Sequence, residues 1–390
     1  MIRIAQKANC CGCEACVQIC PKRCIAFSED EEGFMYPSAD ESLCIDCGLC
    51  EKTCPVINSS ESVQPLQVYA AKNKSEEERS LSSSGGVFAA LAKKTLGEGG
   101  VVFGATLSSD FLSVKHVYVE KEDELPALMG SKYVQSRIGN SFQQAKSFLE
   151  SGRKVMFCGT GCQNMALRSF LRKEYDNLLT VDFICHGVPS PKVWRQHLGE
   201  ITSDGDKIES ISFRDKRTGW SHYSFTLDYV RSATGENKQI TRPYETDPYM
   251  WLYLNDYTLR PSCHACPARK GKSHSDLTLG DFWGIETAHP ECYDERGVSS
   301  LFVNSEKGKN FLAGLKLDLQ TSSLASATAE NPPYFVSKKE QKGKAQFFNK
   351  YNSGKYTLEE LARIYRRKKA IVGIPVWIKR KLRAVKKRLL

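Results

Sequence analysis

Two cysteine runs near the start of the chain have the spacing with which bacterial ferredoxins hold iron–sulfur clusters. Both runs read Cys-x2-Cys-x2-Cys-x3-Cys-Pro. In this pattern three thiolates bind the cubane of their own run and the fourth binds the cubane of the other run. We therefore predict two [4Fe–4S] clusters. The ligands of the first cluster are Cys10, Cys13, Cys16 and Cys54, and those of the second are Cys44, Cys47, Cys50 and Cys20.

A pair of all-cysteine zinc sites is the alternative interpretation, because zinc also binds CxxC units. Three cysteines at this spacing followed by Cys-Pro, found twice, favour cubanes. Cys11 and Cys24 fall outside the pattern and are interpreted as small buried residues. Cubanes transfer single electrons and make no bonds by themselves, so the module predicts electron transfer between partners that lie elsewhere.

The composition is that of a folded chain with more than one domain. The 390 residues are 41% hydrophobic and 26% charged, which allows two or three cores and excludes a disordered protein. No apolar run approaches the ~18–20 residues of a membrane span, and the first residues lack the apolar core of a signal peptide. We expect a cytoplasmic protein, whose 16 cysteines bind metal rather than form a disulfide framework.

After residue 67, strand-like runs alternate with helical patterns, which predicts a mixed α/β (α+β or α/β) body. Strands are predicted at 101–107, 114–119, 154–159 and 178–185, with helices at 140–151, 163–175 and from Ser190 to about Ile201. The predicted domains are a two-cluster ferredoxin module (1–57), a linker (58–67), the body (68–310), a helical extension (311–362) and a basic tail (363–390).

Two loops of the body carry residues that suit a phosphate. Ser83, Ser84, Gly85 and Gly86 open a helix, where backbone N–H groups and the helix dipole favour an anion. An ordinary helix cap is the alternative. Lys132 follows Gly130-Ser131 and could meet a phosphate or a flavin edge, or be a surface lysine.

Four further cysteines could converge on a third [4Fe–4S] cluster. Cys162 lies at a helix start and Cys185 at a strand end, and Cys263 and Cys266 form a CxxC unit. Structural cysteines with a redox dithiol are the alternative. Cys158 could replace Cys162, and His264 is a further candidate ligand. Cys292 is not expected to take part.

Several segments together resemble the coenzyme F420 hydrogenase/dehydrogenase beta-subunit family. They are SSSGGVFAAL, GSKYVQS, FCGTGCQ, VDFICHGVPSP, ISFRDKRTGW, RPSCHACPARK and SDLTLGDFWGI. The resemblance implies an FAD in the body near Ser83–Gly86 and Lys132, and a third cluster near Cys162, Cys185 and the CxxC unit. Gly161 stands where many members have proline. The motif variants resemble a bacterial branch encoded with surface-polysaccharide enzymes, in which coenzyme F420 is not the expected substrate.

These features predict an iron–sulfur flavoprotein oxidoreductase that exchanges electrons between a ferredoxin-like partner and a small-molecule or lipid-linked organic substrate. An electron-transfer adaptor without a substrate of its own, or a true F420-dependent dehydrogenase, is the alternative. The candidates for lining the substrate pocket are His186, Arg214, Lys216 and Trp220. No catalytic acid is assigned.

The tail at 363–390 carries 12 Lys or Arg and no Asp or Glu. These 12 positive charges exceed the net charge of the whole chain, which is +10. The rest of the chain is therefore close to neutral, and binding of nucleic acid is not expected. Val376, Trp377, Leu382, Val385 and Leu389 recur at roughly helical spacing between the bases. This predicts an amphipathic helix on an anionic membrane surface, at the inner face of the membrane. RNA binding or a solvated tail is the alternative.

Overall fold

The computed structural model describes residues 1–373, in which strands and helices alternate through the body. The strands are β1 Ile25–Glu29, β2 Met35–Ala39, β3 Gln67–Asn73, β4 Val101–Leu107, β5 Val114–Val119, β6 Ser136–Arg137, β7 Val155–Cys158, β8 Leu178–Phe183, β9 Lys207–Asp215, β10 Ser224–Val230, β11 Asn237–Pro243, β12 Leu277–Asp281, β13 Ser299–Val303 and β14 Leu317–Ser322. The helices are α1 Ala15–Ile19, α2 Leu49–Lys52, α3 Glu76–Leu81, α4 Val87–Gly97, α5 Ser141–Glu150, α6 Gly161–Leu171, α7 Pro191–Ile201, α8 Pro248–Leu254, α9 Ile285–Ala288, α10 Glu306–Leu312, α11 Leu324–Thr328, α12 Lys344–Asn352 and α13 Leu358–Gly373.

One mixed sheet of nine strands forms the centre of the body, in the order β14-β3-β13-β12-β8-β7-β4-β5-β6. The pairs β12/β8, β8/β7 and β7/β4 are parallel, whereas β13 is antiparallel to both β12 and β3. The carboxyl ends of β3, β7, β8 and β12 therefore lie at one edge of the sheet, where open α/β sheets carry their ligand sites. The mixed α/β body predicted from the sequence is confirmed.

Local sequence explains the helices that leave this edge. Thr160 caps α6 in a capping box with Gln163, so the helix begins directly after the loop that follows β7. The Ser190 hydroxyl accepts a hydrogen bond from the Val193 N–H, and proline occupies the first turn of α7. The helix predicted from Ser190 to about Ile201 is thus observed as α7.

The ferredoxin module packs directly against the body. The β1–β2 hairpin and the short helices α1 and α2 surround the cysteine loops. Glu14 forms an ion pair with Arg137 and accepts a hydrogen bond from the Gly139 N–H at 3.1 Å. The Gln18 side chain accepts from the N–H of Phe142 at the start of α5, also at 3.1 Å. These contacts fix the position of the module on α5 and β6.

Two predicted boundaries differ from the structure. The body does not end at residue 310, because α10 crosses that position and β14 pairs with β3 in the central sheet. The segment 311–362 is therefore an edge strand followed by helices, rather than a helical extension. The linker ends one residue earlier than predicted, since Gln67 begins β3. Residues 374–390, which contain most of the predicted membrane-binding helix, lie outside the described residues.

Candidate iron–sulfur and cofactor sites

The predicted ligands of the second cluster surround one small cavity in the module. The cavity measures about 20 Å³ and is lined by Cys20, Cys44, Cys47 and Cys50. Cys24 also lines it, and its sulfur lies 3.4 Å from the Cys20 sulfur. The cross-over between the two runs, in which Cys20 serves the second run, is therefore compatible with the positions of these side chains.

The predicted ligands of the first cluster lie deeper in the molecule. Cys10, Cys13 and Cys16 are buried, and Cys54 is half-buried. Burial, together with the neighbouring thiols of Cys10 and Cys54, raises the pKa of Cys16 to about 12. Arg260 lies against this group, with its Nη2 atom 3.6 Å from the Cys10 sulfur.

Four thiols of the body meet at the ligand-binding edge of the central sheet. Cys162 follows β7 at the start of α6, and Cys185 follows β8. The chain between α8 and β12 brings Cys263 and Cys266 to the same place. All four line a cavity of about 60 Å³ that also contacts Asp182 and Arg269. The structure thus brings together the four cysteines that the sequence predicts for a third cluster.

The protonation of these thiols is set by their burial. Burial raises the pKa of Cys263 to about 12 and also raises the pKa of Cys185 and of Cys266. The neighbouring Cys11 thiol and burial raise the pKa of Cys162 well above its usual value. The thiols are therefore protonated near neutral pH, and metal binding would have to release those protons.

Cys11 is the unexpected member of this site. It is buried, it lines the cavity of the body cysteines, and its thiol lies beside those of Cys13 and Cys162. Its carbonyl accepts a hydrogen bond from Gln135 Nε2 at 3.1 Å. Cys11 therefore lies between the first cysteine run and the body cavity, a role that its off-pattern position did not reveal.

The alternative ligands lie elsewhere. Burial raises the pKa of Cys158 to about 12, and the charges of Asp182 and Lys132 also act on this thiol. His264 Nδ1 lies 2.9 Å from the Lys338 carbonyl, and Cys292 contacts Glu291. Within residues 1–373, no three Cys, His, Asp or Glu side chains converge as they would on a single metal ion.

Gly161 fills a position that admits no side chain. A Cβ at this residue would lie 2.9 Å from the Cβ of Ala268 and 3.2 Å from a carboxylate oxygen of Asp182. The first residue of α6 thus packs closely against the segment that follows Cys266. The glycine at this point of the site therefore has a packing reason.

The two loops predicted to bind a flavin are neighbours at the same edge of the sheet. The Ser83 hydroxyl accepts a hydrogen bond from the Ser131 N–H at 2.7 Å. Gly86 precedes α4 with a φ of +80°, and no side chain caps this helix. Gly85 packs so closely that a Cβ would lie 2.3 Å from the Ala71 carbonyl. The glycines are thus needed for packing, and the uncapped N–H groups of α4 form a donor set that suits an anion.

Lys132 is held beside this loop by backbone carbonyls. Its Nζ atom donates to the carbonyls of Ala127 and Met129 at 3.0 and 2.7 Å. Burial lowers its pKa to about 7.

This lowered pKa predicts a pH-dependent stability. Below pH 7 the Lys132 side chain is protonated and charged in both the folded and the unfolded protein. Between pH 7 and about 10.5 only the unfolded chain holds the proton, so the free energy of unfolding should rise with pH by up to about 1.4 kcal/mol per unit. Denaturant unfolding under argon should give a flatter pH dependence for Lys132→Met than for the wild type. An equal pH dependence of the free energy of unfolding in both proteins would contradict the lowered pKa of Lys132.

The four residues predicted to line a substrate pocket fall into two groups. His186 pairs with Asp256 at 2.7 Å and stacks edge-on against Tyr253. Arg214 and Trp220 are buried around Asp281, to which they donate at 3.0 and 2.8 Å. Both Nη atoms of Arg214 and the indole N–H of Trp220 are thus partnered, whereas Arg214 Nε is buried without a hydrogen-bond partner in the described chain. Lys216 Nζ donates to the carbonyls of Arg79 and Arg296, and burial lowers its pKa to about 8.

Known families match both parts of this arrangement. The 4Fe-4S dicluster domain matches residues 9–58. The C terminus of the coenzyme F420 hydrogenase/dehydrogenase beta subunit matches residues 152–326. The two matches cover separate parts of the chain and leave the residues between them unmatched. They support an iron–sulfur electron-transfer protein whose body is similar to this beta-subunit family.

Two curated relatives match short stretches of this chain. Ketoisovalerate oxidoreductase subunit VorC from Methanothermobacter marburgensis is 33% identical over 60 residues, which are 15% of this chain and 76% of the relative. A 7Fe ferredoxin from Hydrogenibacillus schlegelii is 45% identical over 42 residues, 11% of this chain and 47% of its own length. This chain thus spans about half of that ferredoxin.

A solved structure of the F420-reducing nickel–iron hydrogenase complex from Methanosarcina barkeri contains a chain similar to this one. The alignment covers 80% of this chain and 94% of that chain at 16% identity, with a TM-score of 0.43. At this level the similarity supports no conclusion about the site. No helix within the described residues is long and apolar enough to cross a membrane.

Proposed function

We propose that this chain is an iron–sulfur flavoprotein oxidoreductase with three [4Fe–4S] clusters and one FAD. The observation that carries the proposal is the position of Cys11. It follows the ligand Cys10 in the module, and it lines the cavity of the four body cysteines. The sulfur-lined sites of the module and of the body are therefore adjacent, as a relay of single electrons requires.

The residues that would hold the clusters are the twelve predicted cysteines, in three sets of four. The second set and the body set each surround one of the two cavities described above. Cubanes accept and release one electron at a time. Arg260 near the first set and Arg269 near the third would offset the negative charge of the thiolates.

The residues that would hold the FAD are Ser83–Gly86 and Lys132. Two observations support this: the contact between Ser83 and Ser131, and the uncapped start of α4. Lys132 and Lys216 border this loop, and a bound pyrophosphate would favour their protonated, positively charged forms. Bound FAD exchanges electron pairs with organic molecules and single electrons with clusters. The protein would then contribute binding, orientation and charge at this edge of the sheet.

The substrate and partners follow from the sequence resemblance. We propose a small-molecule or lipid-linked organic substrate of surface-polysaccharide synthesis, and a separate one-electron carrier protein. We further propose that the chain is cytoplasmic, with the basic tail at 363–390 adsorbing to the anionic inner face of the membrane. All residues of the proposed relay lie within the described part of the chain, so the relay would not require this tail.

Anaerobic purification followed by iron, sulfide and flavin analysis tests the proposal. We expect about 12 irons and about 12 sulfides per chain, from three cubanes, and one FAD. If the protein contains clusters but no flavin, the proposal is wrong and the chain is an electron-transfer adaptor. Bleaching of the bound flavin by reduced coenzyme F420 would instead identify an F420-dependent dehydrogenase. Colourless protein without sulfide would disprove the relay.

A further inference from the structure

The two cysteine sets of the module differ in their access to solvent. The first set is largely buried, with Cys10, Cys13 and Cys16 all inside the protein. In the second set Cys47 is exposed. Every residue that lines the second cavity belongs to the first 50 residues of the chain. The first set thus faces the body, and the second is open to the surroundings.

The first set is also held toward the body by direct contacts. Arg260 donates from Nε to the Cys10 carbonyl at 2.7 Å, and Gln135 donates to the Cys11 carbonyl. Cys11 then contacts Cys162 in the body cavity. Electrons that leave the module for the body would therefore leave from the first cluster, and the second cluster is the free end of the relay.

Exposed apolar and basic side chains surround this free end. Leu43 and Ile45 are 55% and 57% exposed, although they flank the predicted ligand Cys44. Lys22, Arg23 and Lys52 are exposed and have no carboxylate partner within the described chain. Three acids near them are paired: Glu41 with Arg3 at 2.8 Å, and Asp46 and Glu51 with the Met1 ammonium at 3.2 and 3.4 Å. Apolar contacts at the centre with charges around them are typical of a protein interface.

We propose that this surface, the entry face, docks an acidic one-electron carrier protein. The entry face consists of Lys22, Arg23, Leu43, Ile45, Cys47 and Lys52. Cys20, Cys44, Cys47 and Cys50 would hold the second cluster, which would accept one electron from the docked, reduced carrier. The carrier would be oxidised and no proton would be transferred. The inference rests on the proposed function, to which it adds the surface used by the partner and the partner's charge.

Charge reversal tests the entry face. The probe is an acidic two-cluster ferredoxin, reduced and freed of excess reductant, mixed anaerobically with the full chain in a stopped-flow instrument. At low ionic strength the second-order rate constant should fall about tenfold or more in Lys22→Glu/Arg23→Glu, because electrostatic steering is lost. Added salt should slow the wild type but not this variant.

The matched control is Lys342→Glu/Lys355→Glu, which reverses two exposed lysines of the C-terminal region. Its rate with ferredoxin should equal that of the wild type. Photoreduced 5-deazariboflavin, a small neutral reductant, should reduce all three proteins at the same rate. Equal ferredoxin rates in the wild type and in the Lys22/Arg23 variant would overturn the entry face.

A second variant tests the apolar part of the surface. Leu43→Gln should weaken the reaction with ferredoxin at high salt, where steering is screened, while iron content and reduction by deazariboflavin stay unchanged. A wild type that deazariboflavin reduces and ferredoxin does not would overturn the docking inference and leave the relay standing. If the wild-type protein contains no iron, both the docking inference and the proposed relay are disproved.

Discussion

Replacing Cys263 and Cys266 together by serine is expected to remove about one third of the iron, which is one cubane of three. Both thiols line the body cavity with Cys162 and Cys185, and no other CxxC unit of the described chain lines it. The two clusters of the module should remain, because none of their predicted ligands changes. Electrons from a carrier should then reach the module but no longer reach the flavin. Iron analysis and anaerobic reduction followed at the flavin absorbance measure both effects.

Two single variants control this experiment. Cys292→Ser changes a cysteine outside the cavity and should keep all the iron and the flavin reduction. Cys158→Ser tests the alternative ligand. This thiol lies near Lys132 rather than in the cavity, so its loss should also spare the third cluster. Full iron content in the Cys263/Cys266 variant would show that the four body thiols do not hold a cluster.

Replacing Arg260 by leucine is expected to lower the free energy of unfolding by about 3 kcal/mol or more, because each buried acceptor left without its hydrogen bond costs about 1–3 kcal/mol. Arg260 is fully buried and donates to the Cys10 carbonyl, the Met35 carbonyl at 2.9 Å and the Gln135 side chain at 3.0 Å. Leucine would leave these three acceptors unsatisfied at the contact between module and body. Anaerobic denaturant unfolding measures the loss.

The same variant should shift the reduction potential of the first cluster to more negative values, because the reduced cluster loses a nearby positive charge. Arg260→Lys should keep the potential closer to that of the wild type. Arg217→Leu is the matched control, since Arg217 is an exposed base that pairs with Asp215. It should change stability by less than about 1 kcal/mol and leave the potential unchanged. An unchanged potential in Arg260→Leu would show that the guanidinium does not act on the cluster.

The sequence predicted those elements whose patterns are local. The strands at 101–107 and 114–119 were predicted with the bounds that the structure has, because their apolar runs are bordered by glycine or polar residues. The grouping of Cys162 and Cys185 could also be predicted, since each follows a strand. Parallel neighbouring strands bring their carboxyl ends to one edge.

The features that sequence reasoning missed depend on contacts between distant parts of the chain. Arg260 and Cys10 are 250 positions apart, and nothing around Arg260 distinguishes a buried arginine from a surface one. β14 is an edge strand with mostly exposed side chains, so its pairing with β3 left little hydrophobic pattern to detect. Trp220 and Arg214 were predicted to line a common pocket, but only tertiary structure shows their shared partner Asp281.

The short connection between module and body has a kinetic consequence under the proposed function. Only residues 58–66 separate the module from β3, and the Glu61 carbonyl lies within 2.8 Å of the His274 ring. The module is therefore tethered to its acceptor, so its effective concentration is set by the covalent link rather than by abundance in solution. Internal transfer should follow first-order kinetics that do not change on dilution, and only the encounter with the external carrier should depend on concentration.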